Sequence, residues 1–157
     1  MEIETPAAAL EREHREIDEA VTAFLREPDD EGRRSGLRTA LHELRHHIYL
    51  EEEFLFPLLS TMEDALTATV LVMLREHAQI WTTLDALDRA LDSDSDDEAA
   101  AGVCRELTAR LLHHNLKEER VLYPRADTDL NDAALERLRA LLEATGLPEG
   151  WVCIKAR

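Results

Sequence analysis

One pattern occurs twice in this chain and restricts its fold more than any other feature. The first copy is His47-x-x-x-Glu51-Glu52-x-x-Leu55-Phe56-Pro57, and the second is His114-x-x-x-Glu118-Glu119-x-x-Leu122-Tyr123-Pro124. A further His, His46 or His113, stands just before each. A smaller pair lies upstream: Arg12-Glu13-His14 followed by Ile17, and Arg75-Glu76-His77 followed by Ile80. A His four residues before a Glu shares its face of a helix. The chain therefore reads as a duplicated helical hairpin, with one His in each first helix and a His-x-x-x-Glu in each second.

The rest of the sequence agrees with helices. Aromatics make up only 4%, Gly and Pro number five each, and good helix formers dominate. Thr5-Pro6 predicts a capped start for a helix reaching about Arg26. A loop is expected over 27–36, then a helix to about Leu59 with Pro57 near its end. Ser60-Thr-Met-Glu63 fits a capping box for a third helix to about Leu91. Ser95-x-x-Glu98 does the same for a fourth, ending near Tyr123, after an acidic linker over 92–97. A short fifth helix is expected from about Asn131 to Ala144, stopped by Gly146 and Pro148. The fold class is thus all-α: an up-down-up-down four-helix bundle with a short additional C-terminal helix. Residues 1–126 are expected to form the bundle. Residues 127–157 are expected to form a helix and tail packed on it, with Trp151 free to fold back or to meet a partner.

Charge and hydropathy exclude several function classes. The formal net charge is −16, which repels nucleic-acid backbones and anionic membrane surfaces. The longest strongly apolar run, 65–74, is too short to span a bilayer. The N-terminus lacks the pattern of a signal peptide, so the expected compartment is the cytoplasm. Cys104 and Cys153 make neither a CxxC nor a disulfide framework, and Cys104 reads as core filling.

Stepping about 100° per residue around each helix separates the histidines. His14 falls in the apolar stripe of Leu10, Ile17, Val21 and Leu25, and His77 in that of Met73, Ile80 and Leu84. Glu51 falls inside the stripe of Leu44, Ile48, Leu55 and Leu58, with His47 at its edge. His114 and Glu118 lie in the stripe of Leu107, Leu111, Val121 and Leu122. His42, His46 and His113 point outward, and Glu52 and Glu119 lie at the stripe edges. Four His and two Glu thus enter one core, and a buried carboxylate costs several kcal/mol unless it is paired or binds a cation. Asp18, one turn after His14, is either near the site or a surface residue. The donor set suits iron, manganese or zinc. Two ions fit better than one: if both Glu bridge, each ion has two imidazoles and two carboxylate oxygens, an oxo or hydroxo bridge adds a fifth donor, and one position stays open.

These motifs resemble the hemerythrin family, specifically its HHE cation-binding branch, over roughly residues 11–124. The resemblance implies a four-helix bundle with a non-haem di-iron centre, held by His14, His47, Glu51, His77, His114 and Glu118. It implies binding or sensing of O2 or NO, or iron buffering. Alternatives are an enzyme acting on peroxide or NO, and iron-centre repair or iron donation. The partner in each case is a small diatomic ligand or peroxide, with no nucleic acid or membrane. Respiratory members carry a second His four residues after the third-helix His; here that position is Trp81. The ligand set therefore resembles the four-His, two-Glu members.

Overall fold

The computed structural model describes residues 4–93 and 97–157, and all the regular structure among them is helical. The chain forms α1 (Pro6–Arg26), α2 (Glu31–Leu50), α3 (Phe56–Ser60), α4 (Asp64–Asp92), α5 (Asp97–Lys117), α6 (Tyr123–Asp129) and α7 (Asp132–Glu143). Single π turns, Glu51–Leu55 and Glu118–Leu122, join α2 to α3 and α5 to α6 without a break. The four long rods are therefore α1, α2 with α3, α4, and α5 with α6.

The two Pro residues explain the π turns. In a straight α-helix the ring of Pro57 or Pro124 would strike the carbonyl four residues back, and no N–H is there to bond it. Instead, the N–H of Phe56 bonds the carbonyl of Glu51, and that of Tyr123 bonds the carbonyl of Glu118. One extra residue enters the turn, so the helix continues past Pro with its phase delayed by about 100°.

Core composition fixes the topology. One apolar cluster takes Ile17–Phe24 from α1, Leu37–Ile48 from α2, Ile80–Leu91 from α4 and Ala100–Leu111 from α5. The other takes Ala7 and Leu10, Leu50–Leu59, Leu66–Met73 and Leu122–Leu130, and α7 adds Leu138. Each rod meets the two clusters in the reverse order of the rod before it, which is the up-down-up-down arrangement. The polar residues His14, His47, Glu51, His77, His114 and Glu118 occupy the layer between the clusters.

Several boundaries differ from the sequence expectation. Helix α2 begins at Glu31, because the Asp30 side chain caps Arg33 N–H, so Gly32 and Gly36 are helical. The Ser60–Glu63 capping box does not form: Ser60 ends α3, and its carbonyl accepts the Thr67 hydroxyl at 2.7 Å. The fourth rod runs past Tyr123 to Asp129 through its π turn. The expected cap at Ser95 lies outside the described residues. Helix α7 is capped by Asn131 and stops at Glu143, and the positive φ of this region is at Gly150 rather than Gly146. Cys104 and Cys153 are free and buried in the first cluster, and burial pushes both thiols up to about 12. No helix among the described residues is long and apolar enough to cross a membrane.

Candidate metal centre

The layer between the two apolar clusters brings together all six side chains singled out in the sequence. Atoms of His14, His47 and Glu118 lie within 4.8 Å of one another, as do atoms of Glu51, His77, His114 and Glu118, and every one of these residues is buried. The imidazoles form two pairs, each from one hairpin. His14 and His47 have ring centroids 4.8 Å apart, and so do His77 and His114.

The carboxylates join the pairs. Glu51 Oε1 is 3.5 Å from His47 Nε2 and 3.3 Å from His77 Nε2. Glu118 Oε1 is 3.4 Å from His14 Nε2 and 3.1 Å from His114 Nε2. Each Glu therefore faces one imidazole of each pair, as a bridging carboxylate must.

An outer carboxylate bonds the other nitrogen of three of the four imidazoles. His47 Nδ1 donates to Glu13 Oε1 at 2.9 Å, His114 Nδ1 to Glu76 Oε1 at 3.0 Å, and His77 Nδ1 to Glu52 Oε2 at 2.7 Å. Such bonds fix the tautomer and leave Nε2 facing inward as the donor atom. At His14 the facing carboxylate, Glu119 Oε2, is 3.9 Å from Nδ1, too far for a hydrogen bond, and Nδ1 is left without a partner. Glu13 and Glu76 were missed by helical phasing, although each is the residue before the His in the smaller repeat. Glu76 is itself paired with Lys117.

Tyr123 was missed as well. It is fully buried, and its hydroxyl lies 2.8 Å from Glu51 Oε2, 2.9 Å from His47 Nε2, 3.0 Å from His14 Nε2 and 3.2 Å from Glu118 Oε1. Its counterpart in the first copy, Phe56, stacks on His77 with centroids 5.4 Å apart. Burial pushes the phenol well up, and the charges of Glu118 and Glu51 push it further, so it stays a proton donor. Replacing Tyr123 by Phe leaves these groups short of a partner. The metal-free protein should lose about 1–3 kcal/mol, measured by urea unfolding.

Electrostatics show what charge the centre calls for. Burial disfavours the charged imidazoles, yet nearby carboxylates outweigh it: His47 and His77 are raised, and His114 is pushed up to about 10. Burial likewise opposes ionisation of Glu118, but His114 and hydrogen bonds hold it well below the carboxylate range. The carboxylates thus draw positive charge onto the imidazoles. Even so, Glu51 Oε1, His77 Nε2 and Glu118 Oε2 are buried with no hydrogen-bond partner. Buried polar atoms are rarely left so, and a cation between them satisfies all three. The donor chemistry fits an iron, manganese or zinc ion.

The remaining residues sort clearly. His113 is exposed, and His42 is exposed with its Nε2 on the Thr145 carbonyl at 2.8 Å. His46, expected outward, is only 5% exposed, in a cleft closed by Leu142, Ala144 and Thr145 at the end of α7. A helix considered alone cannot reveal that cover. Asp18 is exposed. Trp81 stays out of the cluster, covered by the Arg45 guanidinium and the edge of Trp151.

Comparison with known proteins agrees with this geometry. A family model described as the hemerythrin HHE cation binding domain matches residues 5–126. Iron-sulfur cluster repair proteins YtfE of Yersinia pestis (strain Pestoides F) and Yersinia pseudotuberculosis (serotype O:1b, strain IP 31758) are each 29% identical over 103 residues. That alignment covers 60% of this chain and 47% of each relative, so the chain spans about half their length. No solved structure matches the chain.

Proposed function

The chain belongs to the hemerythrin HHE cation-binding family, and we propose that it is a non-haem di-iron protein that binds or senses O2 or NO, or buffers iron. One observation carries this reading: Glu51 and Glu118 each face one imidazole of both pairs. His14 and His47 would hold one ion and His77 and His114 the other, with the two carboxylates between. Iron so held would supply Lewis-acid and redox chemistry toward a small ligand such as O2, NO or peroxide.

The protein's own groups surround the two imidazole pairs unequally. The Tyr123 hydroxyl puts a proton donor beside His14 and His47, while the His77 side faces the Phe56 ring. Two apolar clusters close the layer from above and below and keep bulk water out. Iron analysis and absorption spectroscopy test the proposal. We expect about two irons per chain and a reversible spectral change when the anaerobic protein meets O2 or NO, with little turnover. Iron content well below that ratio under reducing, anaerobic loading sinks the reading.

The YtfE relatives support a second reading, iron donation to damaged iron-sulfur centres. Mixing the iron-loaded protein with a cluster-depleted iron-sulfur protein separates the two: donation depletes this chain of iron as the cluster re-forms. A third, peroxide or NO consumption at the same centre, requires sustained turnover that disappears in His47→Ala/His114→Ala.

A further inference from the structure

Of the four carboxylates facing the imidazole Nδ1 atoms, Glu52 alone is sealed from water. Its side chain is 0% exposed, against 19% for Glu13, 24% for Glu76 and 29% for Glu119. One oxygen accepts from His77 Nδ1. The other must find a donor inside the protein or pay a desolvation cost. The donor is the backbone N–H of Ile154, 2.8 Å from Glu52 Oε1. This residue lies beyond the stretch that matches the family.

The tail is built to reach that point. Gly150, at φ +73°, turns the chain, and the Trp151 N–H bonds the Pro148 carbonyl. The Trp151 ring meets Tyr49 and Trp81 edge-on, at centroid distances of 5.2 and 5.4 Å. Its Nε1–H donates to Glu53 Oε1 at 2.8 Å. Cys153 is buried in the core, which leaves Ile154 over Glu52.

We propose that the C-terminal tail is a positioning element of the metal centre: through Ile154 N–H and Glu52 it holds His77 in its metal-binding tautomer and orientation. This rests on the two-ion reading above. The role belongs to the backbone, because the Ile154 side chain is 38% exposed. Losing such an outer partner typically weakens metal binding about 10–100-fold. The loss should fall on one ion, since Glu52 bonds His77, whereas His47 of the other pair is held by Glu13.

Proline provides a selective test. Ile154 opens a short 3-10 turn, and Cys153 before it sits at φ −59° and ψ 149°, a conformation that proline favours in its predecessor. Ile154→Pro thus removes the N–H while keeping the backbone path, and Ile154→Ala keeps the N–H. Metal-free full-length protein is titrated with Co2+, whose visible absorption reports each bound ion. Wild type and Ile154→Ala should take up two ions alike. Ile154→Pro should keep one ion at wild-type affinity and bind the other about 10–100-fold more weakly. Trp151→Ala, which frees the anchor, should show the same selective loss. Wild-type binding of both ions in both variants overturns the proposal. So does equal weakening of the two ions, or loss of helical circular dichroism, since the tail would then be a general clamp. Failure of wild type to take up two ions overturns the two-ion reading instead.

Discussion

Glu118→Ala should reduce metal content from about two ions per chain to at most about one, and weaken binding of the remaining ion by more than the 10–100-fold typical of outer partners. The expectation follows from where Glu118 sits. It is 1% exposed and lies near His14, His114 and Tyr123 together. Its loss therefore strips a carboxylate from both imidazole pairs, whereas Glu52→Ala strips one from His77 of a single pair. The metal-free variant should also be less stable, and the deficit should depend on pH. His114 is pushed up to about 10: burial opposes its charge, but Glu118 and Glu76 overcome it. A folded-state value above the unfolded 6.5 means stability that is fully present below about pH 6.5. It is lost as pH rises toward 10. Wild type should thus exceed the variant by about 3 kcal/mol near pH 6, at the lower end for a broken buried pair because the imidazole can shed its proton. The gap should shrink steadily toward pH 10. Urea unfolding of both metal-free proteins across that range checks the sign, and a gap that widens with pH refutes it.

The six central residues were legible because helical phase is a local property and the motif is duplicated. His14 and His77 could be assigned inward from one helix each, since a His amid Leu, Ile and Val every three or four residues must share their burial. Helical phase stops tracking burial where the helix stops being regular. Stepping 100° per residue past Glu118 placed Val121 inside, yet Val121 is 41% exposed and Tyr123 is fully buried. The π turn before Pro124 delays the phase by one residue and rotates Tyr123 onto His14 and His47. The same delay before Pro57 turns Phe56 and Leu59 inward while Leu58 is only partly buried. Proline inside a motif that otherwise reads as continuous helix is the available signal for such a turn. Glu13 and Glu76 escaped for a different reason. Each bonds a His on the neighbouring helix of its hairpin, and that contact depends on how two helices meet. The burial of His46 and Glu52 likewise depends on segments about a hundred positions away in the chain.

Loading the metal-free protein should raise its melting temperature by roughly 8–16 °C. A ligand that binds only the folded state, present at about 1,000 times its dissociation constant, stabilises by about 4 kcal/mol. In a chain of this size each kcal/mol shifts the melting point by about 2–4 °C. The structure explains why folding and binding are tied here. The imidazole pairs come from within hairpins: His14 and His47 from α1 and α2, His77 and His114 from α4 and α5. The carboxylates link one hairpin to the other, so each ion would tie the two halves of the bundle across its middle layer. Metal competes with protons at His47, His77 and His114, whose affinity for a proton is raised by their carboxylate neighbours. Binding at pH 7 should therefore release protons, which a weakly buffered indicator dye can count, and the thermal gain should fall as the pH is lowered toward 5. Scanning calorimetry with and without a chelator measures the shift. If the protein carries two ions yet melts within about 2 °C of its metal-free form, the ions bind folded and unfolded chain nearly alike, and the layer of His and Glu is not their site.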